Sequence, residues 1–263
     1  EILGGAVIGV LYALIGMGLI LVYRANRIIN FAQAQLGAVP AIVALLLIAK
    51  QGWPYFAAIP VMLIGAAVLG AGVEVVLVRR FSSSPRLILT VVTIGIGFLL
   101  LILEFYAKKW VGGDLIDTVS LTFPTPFRRF RFHVGPSTLS GDHLFAVVVV
   151  AILVVALTAF FRFTDIGIAV RASAENAERA SLLGIPVKRV STIVWVIAAL
   201  LSAVGVFLRT PLVGLPLSGF VGPSILLFGL AVAVIARMES LPIAFIGGIL
   251  IGVIDRAALF ATR

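Results

Sequence analysis

The 263-residue sequence contains no cysteine, which excludes a disulfide framework, thiolate metal sites and a cysteine nucleophile. Its two histidines, His133 and His143, are too few for a multi-histidine metal centre. Charged residues make up 12% of the chain, about half the share of an average soluble domain. Asp and Glu together number only 11, so a paired-carboxylate catalytic site has little to draw on. G-x-x-x-x-G-K-S/T, G-x-G-x-x-G, H-E-x-x-H and G-x-S-x-G are all missing, which removes the phosphate loop, the zinc-protease helix and the hydrolase elbow. No catalytic, cofactor-binding or metal-binding residue is expected in this chain.

What is abundant is apolar: 62% of residues are hydrophobic, with a further 26 glycines, and the mean hydropathy is +1.22. A soluble globule of this size would leave large apolar patches in water, so the solvent is lipid. About 20 apolar residues span a bilayer as a helix. Qualifying stretches are Ile2–Tyr23, Ile28–Ala49, Tyr55–Val78, Leu87–Tyr106, His143–Phe161, Val190–Leu208, Gly219–Ala236 and Leu241–Leu259. The fold class is therefore an all-α integral membrane protein, a polytopic bundle of about eight transmembrane helices. The chain opens on Glu1 without a basic n-region, and the expectation is a chain trimmed at both ends or cut from a longer or fused polypeptide.

The net charge is +9. In a membrane protein such an excess marks loops held on the cytoplasmic side rather than nucleic-acid binding, so no nucleic-acid partner is expected. With the end of the first helix inside, 11 Lys and Arg fall inside and 9 outside, a weak bias. Several of the outer ones lie in one loop, about 108–142, which carries Phe127-Arg128-Arg129-Phe130-Arg131-Phe132. That run reads as a basic amphipathic strand or helix at the headgroups.

Three features carry more information. The junction Arg27-Ile28-Ile29-Asn30-Phe31-Ala32-Gln33-Ala34-Gln35 places amides at the start of an apolar span, where each needs a partner or a water-filled path. Asn30 and Gln33 either cap a helix start and bond between helices, or lie on a discontinuous helix lining a pathway. A polar island, about 162–189, separates the fifth and sixth spans. Its middle reads as a short helix with Glu175 four residues before Arg179 as an ion pair; Gly184 suits a left-handed position after it, and Pro186 stops it. An island this long and charged fits a surface helix that docks into a groove of another protein. Glu74, Glu104 and Asp255 lie near helix ends with Arg79, Lys108 and Arg256 close by, as interfacial pairs or as parts of a proton path. Gly5 with Gly9, Gly65 through Gly72, and Gly248 with Gly252 fit close helix packing.

With these residues in view, the chain resembles permeases of branched-chain amino acid ABC importers. The resemblance rests on Arg27-Ile28-Ile29-Asn30-Phe31-Ala32-Gln33, on Tyr12 through Leu19 upstream, and on Glu74 through Arg80 with Pro85. It continues through Thr93-Ile94-Gly95, Thr164 through Arg171-Ala172, Ala199 through Gly205 and Gly247 through Gly252. The chain departs from many members at the turn Ala236 through Pro242, which lacks their glycines. The resemblance implies one transmembrane permease domain over 1–263, working by alternating access, with the 162–189 island as its cytoplasmic coupling loop. Arg171, Glu175, Asn176, Arg179, Leu183 and Gly184 are the candidate ATPase-coupling residues. Asn30, Gln33, Thr90 and Thr93 are candidates for the translocation pathway. The implied partners are ABC ATPase subunits carrying ATP and Mg, a second permease subunit, homologous or identical, an extracytoplasmic substrate-binding protein and the lipid bilayer. The implied location is the prokaryotic plasma membrane, and the implied cargo is branched-chain or other hydrophobic amino acids. Related permeases take urea or short amides, and a secondary carrier or channel independent of ATP is the remaining alternative.

Overall fold

The computed structural model describes residues 2–81, 84–112, 123–134, 137–214 and 221–261. The stretch 113–122 of the outer loop, Gly219 at the start of the seventh expected span, and Arg263 lie outside them. The described helices are α1 (Ile2–Asn26), α2 (Gln33–Gln51), α3 (Tyr55–Gly72), α4 (Arg86–Gly112), α5 (Gly141–Phe163), α6 (Asp165–Glu175), α7 (Ala177–Leu182), α8 (Val187–Val213), α9 (Gly222–Ile235) and α10 (Leu241–Ala261). One short antiparallel hairpin, β1 (Arg131–Val134) and β2 (Ser137–Ser140), precedes α5.

Seven helical segments are long and apolar enough to cross a membrane; the eighth apolar helix, α9, has 14 residues. At about 1.5 Å per residue α9 reaches roughly 21 Å, short of the hydrocarbon thickness. Burial divides the spans. The apolar windows of α1, α2 and α8 are 94%, 78% and 67% buried, whereas those of α4, α5 and α10 are 28%, 17% and 22% buried. Three helices thus form a core wrapped by helices that face lipid. This is why hydropathy marks every span alike while only the interior ones are closely packed on all sides.

The α1–α10 contact is the most extensive among the described residues. A Cβ placed on Gly5 would fall 2.6 Å from the Gly252 carbonyl oxygen, and one on Gly9 would overlap the Gly248 carbonyl. Backbones therefore touch where Gly5-x-x-x-Gly9 meets Gly248-x-x-x-Gly252, as the four-residue spacing predicts. Gly70 similarly admits the Trp195 carbonyl, 2.8 Å from its ideal Cβ, whereas an ideal Cβ on Gly72 meets no other part of the described chain within 4 Å.

Several boundaries differ from the sequence expectation, and four differences bear on the sites. The second span starts at Gln33 rather than Ile28, because Arg27 adopts a left-handed backbone (φ 56°) and the chain stays non-helical to Ala32. The third continues past Gly72 as a π turn over Val73–Leu77 and a 3-10 turn over Val78–Phe81. The fourth runs on to Gly112, so Lys108 and Lys109 belong to the helix and not to the outer loop. The island is two helices, not one: Asn176 is extended (φ −153°, ψ 105°) and caps α7 by accepting from the Arg179 N–H at 2.9 Å. That break separates Glu175 from Arg179, and no ion pair joins them among the described residues.

Candidate coupling and pathway sites

The α1–α2 break is held by side chains whose partners come from three other helices. Asn30 and Gln33 are fully buried. The Asn30 Oδ1 accepts from the Ala32 N–H (3.0 Å), and its Nδ2 donates to Gln33 Oε1 (3.1 Å). Gln33 in turn donates to Ser202 Oγ at 2.7 Å and to the Ala198 carbonyl at 2.9 Å, both on α8. On α4, the buried Thr93 hydroxyl accepts from the Phe31 N–H (3.1 Å) and donates to the Thr90 carbonyl (2.7 Å). Thr90 is half-buried, its hydroxyl turned to the Arg86 carbonyl at 3.1 Å. Asn30 and Gln33 do not share a helix face, since residue 30 is not helical, yet their side chains meet. Every backbone group freed by the break that these residues reach is satisfied within the chain, as membrane depth requires.

The same break is joined to the island. Asn26 accepts from the Trp195 indole N–H (3.3 Å) and donates to Ser191 Oγ (3.0 Å) on α8. Arg27 donates to the Ala174 carbonyl of α6 at 2.8 Å. Arg171 donates to the Phe161 carbonyl at the end of α5, where a cation suits the exposed carbonyls of a helix terminus. Thr164 closes the α5–α6 corner, donating to the Phe160 carbonyl (2.6 Å) and accepting from the Gly167 N–H (3.0 Å). After α7, Gly184 takes φ 83°, and the Ile185 N–H reaches back to the Ala180 carbonyl at 3.0 Å. This turn leaves Leu182 and Leu183 87% and 81% exposed. Between the island and the bundle lies a polar cleft of about 390 Å³, with Arg24, Arg27 and Arg86 on one side and Glu175 and Glu178 on the other.

Two of the three acid–base pairs expected from sequence are present. Glu74, in the π turn, meets Arg79 at 2.9 Å, and Thr192 bridges them by accepting from Arg79 (2.8 Å) and donating to Glu74 (2.6 Å). Glu104 meets Lys108 at 2.8 Å with both side chains wholly buried, and it also accepts from the Val221 N–H at the start of α9 (3.2 Å). Asp255 has no such pair among the described residues. Sequence reasoning missed Thr192, Ser191 and Ser202, the α8 groups that receive the others. A hydroxyl in an apolar helix commonly bonds its own backbone, so composition alone does not mark them. It also missed Arg209 on α8, nearly buried, with its guanidinium 5.9 Å from the Tyr12 ring and its Nε and Nη1 without hydrogen-bond partners among the described residues. Of the junction amides, it is Gln35, not Asn30 or Gln33, that is buried with no partner for either amide atom among the described residues.

A bundle of apolar spans around a broken helix pair, with a helical island tied to the break and presented at one end, defines a polytopic transport subunit. The sequence profile of the family described as branched-chain amino acid transport system, permease component, matches residues 1–263, and the chain belongs to that family. It is similar to the high-affinity branched-chain amino acid transport system permease protein LivH of Escherichia coli (strain K12), 30% identical over 271 residues that cover 97% of this chain and 84% of the relative. The permease protein BraD of Pseudomonas aeruginosa is 28% identical, with 97% and 84% covered. A probable LivH of Methanocaldococcus jannaschii is 28% identical, with 96% and 78% covered. The chain is thus a multi-pass inner-membrane transport subunit and not an enzyme.

Proposed function

We propose that this chain forms the translocation pathway of an ATP-driven importer for branched-chain or other hydrophobic amino acids. ATP and Mg are held by partner ATPase subunits, a second permease subunit completes the path, and a binding protein delivers the substrate from outside. The names of the relatives support amino acids over urea or short amides as cargo. The observation that carries the coupling role is the island itself. Leu182 and Leu183 are almost fully exposed on a turn flanked by Glu175, Glu178 and Arg179, an apolar tip with a polar rim, as a groove-docking helix requires.

Movement of that tip is transmitted by rigid parts. α6 is anchored to the end of α5 through Arg171 and Thr164, and to the α1–α2 break through Arg27. Closure of the ATPase pair would swing α6 and α7 together, and the break, fixed by Asn30, Gln33, Thr90 and Thr93, would carry α2 and α4 between inward and outward access. These four residues belong to the wall of the pathway in this reading, Arg171, Glu175, Asn176, Arg179, Leu183 and Gly184 to the coupling face, and the single permease domain spans 1–263.

Gly184→Arg tests the placement. Nothing lies within 4 Å of a Cβ at Gly184, so an arginine there projects into the docking space. Any L residue at φ 83° also bears about 1–2 kcal/mol of local strain, which Gly184→Ala isolates. Expected are correct insertion of both variants, loss of ATP-dependent uptake in the assembled complex for Gly184→Arg, and largely retained uptake for Gly184→Ala. Uptake surviving in Gly184→Arg would overturn the coupling site.

A further inference from the structure

The basic hairpin before α5 has no part in the coupling and pathway sites described above, and one of its two faces carries its large apolar residues. In the β1–β2 register, Phe132 pairs with Leu139, and the Gly141 N–H donates to the Phe130 carbonyl at 2.7 Å, extending the ladder by one pair. Alternation therefore puts Phe130, Phe132 and Leu139 on one face. The pair Val134 with Ser137 falls on the same face, and the pairs of the opposite face, Arg131 with Ser140 and His133 with Thr138, are polar residue types. From residue 123 to 140 there are three arginines and no acidic residue. Phe130 and Phe132 are 60% and 45% exposed, and Arg128 and Arg129 in the preceding turn are exposed as well.

A two-stranded ladder with a bare aromatic face is marginal in water, so that face needs a cover. Its surroundings say which. Phe127 stacks on Phe145 of α5, ring centroids 4.6 Å apart, which seats the hairpin on the first turns of a membrane span. The α5 stripe Leu144, Val148, Ile152 and Val155 is 46–69% exposed on the least buried of the described spans. An exposed aromatic face seated beside the first turns of such a helix, with arginines in the adjoining turn, has the form of an interfacial anchor.

We propose that this hairpin lies in the membrane interface, its Phe130–Phe132–Leu139 face among the upper acyl chains and Arg128 and Arg129 on the phosphates of anionic phospholipids. Guanidinium groups bind phosphate bidentately, so the anchor favours anionic over zwitterionic lipid.

The natural absence of cysteine allows single-cysteine labels. The full chain with Phe132→Cys or Leu139→Cys, carrying an environment-sensitive fluorophore, is reconstituted in phosphatidylcholine vesicles with or without phosphatidylglycerol. Lipids bearing a nitroxide high on the acyl chain and aqueous iodide serve as quenchers. Expected is severalfold stronger quenching by the lipid nitroxide than by iodide, increased by phosphatidylglycerol. Arg128→Gln with Arg129→Gln should abolish that increase without changing the thermal midpoint. Free quenching by iodide in both vesicles overturns the proposal, as does lipid quenching indifferent to phosphatidylglycerol. Shielding that appears only on addition of a soluble partner protein also overturns it, and assigns the face to protein docking. ATP-driven uptake is measured on the same vesicles, so loss of transport with an intact lipid signal bears on the transport reading alone.

Discussion

Glu104 and Lys108 bury two charges within the protein near the end of α4, with no solvent contact on either side chain. Neither ion is tolerable alone when so buried; together they neutralise each other, and the carboxylate also takes the Val221 N–H at the head of α9. Removing the Glu104 carboxylate withdraws the counter-charge 2.8 Å from the Lys108 ammonium, a loss on the order of a few kcal/mol. Glu104→Ala should therefore lower the thermal midpoint in detergent sharply, while Glu104→Ala with Lys108→Met recovers much of the loss. Equal midpoints for the single and double variants would mean that the pair is not the source of the effect. The four-residue spacing of this pair is readable from the sequence, and so is its neighbourhood to a helix end. Its complete burial is not, because that depends on α9 arriving over it from 117 positions further along the chain.

Among elements, α1 and α10 show what small residues accomplish where lipid removes the hydrophobic drive for association. Gly5 and Gly9 of α1 accept the backbone of α10 at Gly248 and Gly252, leaving no space for a side chain. Gly9→Leu should separate the two helices and cost more than the roughly 1–3 kcal/mol of ordinary overpacking, seen as a lower midpoint and poor yield in the membrane. Gly4→Leu, one position before Gly5 and with nothing within 4 Å of its ideal Cβ, should be tolerated. Similar loss in both variants would mean that backbone contact does not set the packing. The spacing of the glycines was legible beforehand; which helix they met was not. The island shows the converse. Its helical character and the turn at Gly184 were legible, but the Asn176 cap, which splits it and separates Glu175 from Arg179, was not, since a continuous helix and a capped pair present similar local residues.

Over the whole molecule, the island meets the core through buried Val170 and through one long side-chain bond. Arg27 reaches the Ala174 carbonyl from an exposed, left-handed position, so the bond adds less than about 1 kcal/mol to stability, yet it joins the two parts that the proposed coupling would move. Arg27→Ala should leave the midpoint within a degree or two of the parent and lower ATP-dependent uptake severalfold; unchanged uptake in the assembled complex would remove Arg27 from the transmission path. The sequence by itself determined that the chain lives in lipid, how many spans it has to within one, and where its polar island falls. These follow from local composition, because every apolar span meets the same solvent whatever its neighbours. Only the tertiary structure decided that α1, α2 and α8 are the core, that Gln33 is answered by Ser202 and the Ala198 carbonyl, and that the Gln35 amide has no such partner among the described residues. In a membrane protein the spans facing lipid and those facing protein are nearly equally apolar, so hydropathy cannot rank them. Interior and exterior are distinguished only by which backbones can approach and which polar groups meet.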